Sequence, residues 1–495
     1  MTTDARDPGV GWRLFVTVWL VYSVFATTNV VRETYLAVSL GTRATVRVDP
    51  YLNLHPDLFE VPGRGSFINS NPGASLVGAI PYAIFVRPVI ALAVRLKPEL
   101  AQPKPPATYD DPRPNRTKFM NAARARGLDV VLGLSALGTA VTVMAPLGAL
   151  ASLLMFLFLR ERLDDARALM YALVFAFATP TLFRAAFLNQ NAIIAHLVLV
   201  AWILKVGLKP AAVSHRPWTL AAIGLALGFA IVCDYSGIPF AIVFGVWILF
   251  DAWKRGGFPS AFREGALYGA GAAASLVLLL AYQWVAFGHP IWPAQRYMPP
   301  TEYSVRGWFG FTPPSLDLLW RNLFDLRYGL FAFCPLLLAA FAAPLINSRG
   351  GWSPSRSELR WIFLAFIALL LFSSANQFAN LQWNTGVRYM VPLVPLLFLA
   401  AVPVVEVMPR VARWMTIGLS LAISLAVSMT REDIPTALRL IAAEGPTLPV
   451  LIVLQKMSSG YDVSLPPFTF GLIALVLTAL LIVLWRPFWR RTNPT

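Results

Sequence analysis

Stretches of about twenty apolar residues recur from one end of the chain to the other, and this repetition leaves few folds open. In lipid, each stretch must hydrogen-bond its own backbone, which only helices and closed barrels achieve. A barrel would show short strands of alternating polarity. This chain instead shows continuous runs, with 57% hydrophobic and only 13% charged residues over 495 positions. A soluble protein of that length carries about twice the charged fraction. The expected fold class is an all-α polytopic membrane protein, one integral membrane domain over 1–495.

The first run, "WRLFVTVWLVYSVFATTNVV" (12–31), is too long for a signal-peptide core and has no small-residue cleavage site after it, so it reads as a retained span. Further spans are expected near 75–97, 128–145, 147–159, 168–186, 191–208, 218–236, 238–253, 265–286, 329–347, 360–375, 388–406, 413–430 and 467–486. Pro146 in "MAPLG" favours a tight hairpin over one long tilted helix across 128–159. A bundle of about 12–14 helices follows, with both termini on the cytoplasmic side of the inner (plasma) membrane.

The net charge of +16 would suggest nucleic acid in a soluble protein. Here it reads through the positive-inside rule, and no nucleic-acid partner is expected. Arg113, Arg116, Lys118, Arg124 and Arg126 place the proline-rich loop 98–127 in the cytoplasm. Lys205, Lys209 and Arg216 do the same for their loop, as does the tail "RPFWRRTNPT". The polar segments left to face outward are the long first loop 32–74, the loop 287–328, "SSANQFANLQWNTGVRY" and 431–466. Cys233 and Cys334 sit in apolar runs, and the four histidines show no ligand spacing, so neither a disulfide scaffold nor a histidine or cysteine metal site is expected.

Ionised groups close to hydrocarbon need a partner or a task. Glu33, beside Arg32 in "NVVRETY", is either a solvated acid paired with that arginine or a general base at the lipid–water boundary. Asp57 in "LNLHPDLFEVPGRGSF" is a turn residue or a second base, and Asp49 in "VDPY" is a turn former or a site acid. His55 is too isolated to be a metal ligand. Asp234 in "VCDYSGIP" either caps a helix or faces a site, and His196 in "NQNAIIAHLVLV" suits an interhelical hydrogen bond. Arg184, Arg296, Arg306, Arg321, Arg327 and Arg388 are expected outward, where arginine can grip phosphate. Arg388, after a glycine in "WNTGVRYMVPLVP", either meets an anion together with backbone N–H groups or snorkels from a helix end.

The order of these pieces carries more than any one of them. "RETYLAVSL", "VDPY", Asp57 and "GRGSFINSNPGASLVGAIPY" are followed by "ATPTLFRAAFLNQNAIIAHLVLVAWIL", "GLALGFAIVCDYSGIP", "YQWVAFGHPIWP", "YGLFAFCPLLLAA" and "WNTGVRYMVPLVPLLFLA". This series, over about 12–406, resembles membrane glycosyltransferases of the GT-C superfamily, in the bacterial branch related to protein O-mannosyltransferases and aminoarabinose transferases. The resemblance implies a GT-C-like bundle with a long first extracytoplasmic loop. It also implies transfer of a sugar from a polyprenyl-phosphate donor to a glycan, lipid or protein acceptor, with inversion and without a nucleotide site. Glu33 would then be the base and Asp57 its second. Arg388 and Arg184 would hold the departing phosphate, and Arg32, Tyr35, Asp49, Arg64, Asn69, Asn71, His196 and Asp234 would complete the binding site.

Two positions depart from the family pattern. Asn71 stands where a lysine often precedes Pro-Gly, moving a phosphate contact of that kind to Arg64 or removing it, and Thr34 rather than a second acid follows Glu33. No metal site is assigned, although two or three carboxylates could take a divalent cation. The rival class is a lipid or solute transporter, which would favour broken mid-membrane helices and an inverted repeat.

Overall fold

The computed structural model describes residues 9–108, 114–208, 217–346, 352–384, 386–456 and 465–492. Arg113, Lys209 and Arg216, part of the basic sequence pattern, lie outside them. The described chain is predominantly helical, and its only sheet among those residues is a two-stranded hairpin, β1 (Leu58–Val61) with β2 (Gly65–Ile68). Among the described residues, six helices are long and apolar enough to cross a membrane: Gly73–Leu96, Asp129–Arg160, Tyr235–Phe287, Arg356–Ala375, Arg410–Thr430 and Thr469–Arg486. The pair Ile434–Glu444 and Pro449–Gln455, bent by 71°, would make a seventh. Several other apolar runs fold as helices of 10–17 residues, among them Gly9–Val24, Gln190–Val206 and Pro217–Cys233. An all-α membrane protein is what these elements describe.

The stretch 128–159 is not a hairpin. Helix Asp129–Arg160 runs through Pro146 because Ala140–Met144 form a π turn, with the Ala145 N–H reaching back to the Ala140 carbonyl. The widened turn leaves the following proline at the start of a fresh α-helical segment, where its missing N–H costs nothing. By contrast, Ile238–Phe287 is broken at Gly256–Gly257, and Gly245 lies beside Tyr268 while Gly265 faces Leu249, so its two arms fold back on each other. The arm after the break packs on Pro217–Cys233 through small residues, Gly224 and Gly228 against Ala272 and Gly271 against Ala221. A Cβ on Gly228 would meet the Ala272 carbonyl at 2.6 Å, which is the close helix approach that glycine permits in lipid.

The segments 32–74 and 98–127 do not lie on opposite sides. Arg126 Nη1 donates to the carbonyls of Pro50 (3.2 Å) and Leu52 (3.0 Å). Asn71, just before Gly73–Leu96, and Leu100, just after it, line one cavity. The helix therefore returns the chain to the side it left, despite sufficient length and apolarity to cross. Tyr82, Val86 and Ile90 are buried against helix Arg32–Arg43 and its surroundings, whereas Ile80, Ile84, Val89 and Leu96 are exposed. That division suits a helix lying along the membrane surface with one apolar face in lipid. A second of the basic residues that had placed 98–127 in the cytoplasm is engaged internally: Arg124 Nε donates to the Pro105 carbonyl at 2.6 Å.

Candidate active site

Helix Arg32–Arg43 starts directly after an extended Val31, so Arg32 and Glu33 occupy its first turn, where the helix dipole favours an acid. Ser75 Oγ donates to the Glu33 carbonyl at 2.9 Å and ties that turn to the helix that begins at Gly73. Gly73 seats the same helix against the end of Pro217–Cys233; a Cβ there would lie 2.6 Å from the Cys233 nitrogen. The hairpin then brings Asp57, which precedes β1, opposite Asn69, which follows β2.

Arg32 sits between the two acids. Its Nε donates to Glu33 Oε1 (2.9 Å), and its Nη1 donates to Asp57 Oδ2 (3.0 Å) and to Asn69 Oδ1 (2.9 Å). Asn69 Nδ2 in turn donates to Asp57 Oδ1 at 2.9 Å. Gln190, first in its helix behind the Asn189 cap, closes the network. With its amide nitrogen towards the carboxylate, it donates to Glu33 Oε1 (2.7 Å) and accepts from Arg32 Nη2 (3.0 Å). One guanidinium thus bridges two carboxylates, and two side-chain amides fix the arrangement.

The two acids differ in access. The Glu33 side chain is 5% exposed and that of Asp57 31%. Burial pushes the Asp57 carboxyl up, but Arg32, His55, the Asn69 hydrogen bond and Arg388 outweigh it and hold the group below the usual carboxylate range. Burial lowers His55, against the pull of Asp57. The ring is therefore neutral near pH 7, with Nδ1 accepting the Asp57 N–H at 3.1 Å. For Arg32, burial opposes the charge, yet Glu33 and Asp57 prevail and hold the guanidinium above its ordinary value.

These residues line one wall of a cavity of about 1630 Å³ that gathers side chains from all four segments expected outward. Arg184, Arg388 and Arg431 line it too. The charges of Arg431 and Arg388 both bear on Arg184, and Arg388 bears on Asp57. Arg184 and Arg431 flank the Phe187 ring at 5.1 and 4.8 Å. Arg431 Nη1 donates to the Phe183 carbonyl at 2.6 Å. The backbone N–H groups of Arg388 and Tyr389 do not point at a ligand; both donate to Gln382 Oε1, at 3.0 and 2.9 Å. The Arg388 side chain, over the Tyr389 ring at 4.6 Å and donating to its hydroxyl at 2.7 Å, is what this segment presents.

Of the other sequence candidates, Tyr35, Asn71 and Asp234 line the cavity. Tyr35 donates to the Leu54 carbonyl (3.2 Å), Asn71 Nδ2 to that of Ile231 (2.8 Å), and Asp234 Oδ1 caps the next turn by accepting from Ser236 N (2.9 Å). Three candidates are elsewhere. Asp49 braces the hairpin, accepting from Ser66 N at 2.6 Å and pairing with Arg47. Arg64, at the hairpin turn, donates to the Val285 carbonyl at 3.5 Å and lies against Gly288, and His196 is not among the residues lining the cavity. Arg306, Arg321 and Arg327 are paired with Glu302, Asp317 and Asp325. Gln190 and Arg431 were not singled out in the sequence; the only hint of Arg431 is its position immediately after an apolar run. Among the described residues, no group of three or more histidine, cysteine or acidic side chains could hold a metal ion.

A buried ion pair of this kind in a large cleft, with concentrated positive charge nearby, has the features of a site that binds an anion and moves a proton. Comparison of the chain with protein-family profiles, with curated proteins and with solved structures finds no match in any of the three.

Proposed function

We propose that the chain is a membrane glycosyltransferase that moves a sugar from a polyprenyl-phosphate donor to an acceptor hydroxyl in this cavity, on the extracytoplasmic face. One observation carries the reading: the Arg32-bridged acids share their cavity with the three arginines Arg184, Arg388 and Arg431. Asp57 is the more open carboxylate, so it takes the proton from the acceptor hydroxyl as that oxygen attacks the anomeric carbon. The bond from that carbon to the phosphate oxygen breaks, and the phosphate leaves with the electron pair. The arginines stabilise the charge that grows there. Glu33, sealed behind Arg32 and Gln190, sets the position of Arg32. A single displacement inverts the anomeric centre, and the order of the sequence pieces is what favours a GT-C-like reading of the chain.

The purified chain, incubated with a labelled polyprenyl-phosphate sugar and envelope extracts as acceptor source, tests this. An inverted product that depends on Asp57 supports the reading. A product of retained configuration, or one formed equally by Asp57→Asn, would sink it. A lipid or solute transporter is the second reading, favoured by the 71° break between Ile434–Glu444 and Pro449–Gln455 at the cavity. Movement of lipid phosphate across vesicles without any sugar transfer would select it.

A further inference from the structure

One wall of the cavity differs from the rest. Tyr303, Trp308, Phe309 and Phe378 line it, whereas Leu132, Leu134, Val450 and Val453 contribute aliphatic lining elsewhere. The aromatic wall is built on a two-residue turn. Trp308 N donates to the Phe311 carbonyl (2.8 Å) and Phe311 N to the Trp308 carbonyl (3.0 Å), with φ of 50° at Phe309 and 90° at Gly310.

A turn with positive φ at both central positions favours Asn-Gly or Gly-Gly, and a bulky aromatic at the first position is strained. The surroundings hold it there. Gln377 N donates to the Gly310 carbonyl (2.8 Å), Gly310 N donates to that of Arg306 (3.0 Å), and a Cβ on Gly310 would meet the Phe378 ring at 2.5 Å. An asparagine would relieve the strain and keep the turn. What phenylalanine adds is a ring beside the indole of Trp308, 5.2 Å away and tilted, at the cavity surface. Trp308 itself is 60% exposed.

Strain held in place by its neighbours at a cleft points to function. Open aromatic faces, with Glu302 and Asn376 on the same wall, match the chemistry of a sugar ring. The C–H face of the ring packs on an aromatic plane while its hydroxyls take polar partners. A prenyl chain, hydrocarbon throughout, has no such need and suits the aliphatic part of the lining.

We infer that the turn Trp308–Phe311 is a saccharide-binding platform, so that the acceptor of this site is a glycan whose terminal ring stacks on Trp308 and Phe309. The word acceptor rests on the glycosyl-transfer reading; saccharide binding does not. The test uses the full chain in nanodiscs, with saturation-transfer NMR against soluble oligosaccharides of hexose, pentose and N-acetylhexosamine units. Binding of a short polyprenyl phosphate is followed in parallel. At least one oligosaccharide is expected to bind, with its signal falling about tenfold in Trp308→Ala and in Phe309→Asn, which keeps the turn, and unchanged in Trp320→Ala. Polyprenyl phosphate binding should be unaffected by all three. No oligosaccharide binding, or binding indifferent to Trp308 and Phe309, overturns the platform. If polyprenyl phosphate still binds in that case, and does so through Arg388, only the platform fails. If it does not bind either, the donor reading falls with it.

Discussion

Asp57 and Asn69 meet twice: the Asn69 backbone N–H donates to the Asp57 carbonyl at 3.0 Å, and its side chain donates to the Asp57 carboxylate at 2.9 Å. The first bond continues the β1–β2 ladder by one step, and the second hands the register of that hairpin to the acid. Asn69→Ala should therefore leave the fold intact while freeing the carboxylate and one Arg32 contact. A fall in transfer of about 10–100-fold is expected, with the melting temperature nearly unchanged. Unchanged transfer in this variant would show that the pairing is scaffolding only.

The pH dependence follows from the same contacts. Asp57 is held below the usual carboxylate range, chiefly by Arg32 against its burial. It therefore stays ionised to a lower pH than an ordinary carboxylate, and transfer should hold to a correspondingly lower pH. The stability it contributes is full above its unfolded pKa and is lost as pH drops through the lower folded one. Arg32→Gln removes the main stabilising charge, so the acid limb of the pH–rate profile should move upward. It should also destabilise the protein by about 3–5 kcal/mol, because two carboxylates lose their shared partner. Arg32→Gln combined with Glu33→Gln should regain part of that loss. A profile that does not move would separate Arg32 from the titration of Asp57.

Arg388 and Arg431 reach the cavity from segments far apart in the chain. Arg388→Gln and Arg431→Gln should each weaken polyprenyl phosphate binding by about tenfold and reduce its salt dependence. Gln382→Leu should act on the same binding by releasing the Arg388–Tyr389 backbone it now holds. Wild-type affinity in all three would remove the arginines from the donor site.

The shared side of 32–74 and 98–127 is open to direct labelling. Both native cysteines are buried. Cysteines introduced at the exposed positions Asn53 and Gln102 should react with an impermeant maleimide from the same side of sealed vesicles. Labelling from opposite sides would contradict the contacts of Arg126.

The helical class and half of the site were legible in the sequence, for reasons that differ by residue. Glu33, Asp57 and Asn69 stood out because they are polar residues close together in one loop, and a short hairpin suffices to join them. Gln190, which fixes Glu33 and Arg32, looks like an ordinary helix start, and Arg431 acquires meaning only when a distant helix end is packed beside Phe187. Asp49 and Arg64 were plausible by composition, yet one is consumed by the hairpin backbone and the other lies at its turn. Counting basic residues misplaced 98–127, since the count cannot tell a solvated arginine from Arg126 bonded to Pro50 and Leu52. A π turn ahead of Pro146 has no sequence signature, so the hairpin at 128–159 was the natural expectation.

Asp57 and Glu33, bridged by Arg32, are proposed to serve sugar transfer from a lipid phosphate. The most direct test is the initial rate of transfer from a polyprenyl-phosphate sugar by the chain reconstituted in vesicles, for wild type, Asp57→Asn and Glu33→Gln. The predicted result is a loss of about 10²–10⁴-fold in Asp57→Asn and a smaller loss in Glu33→Gln, with donor binding retained in both. Transfer at the wild-type rate in both variants would contradict the account.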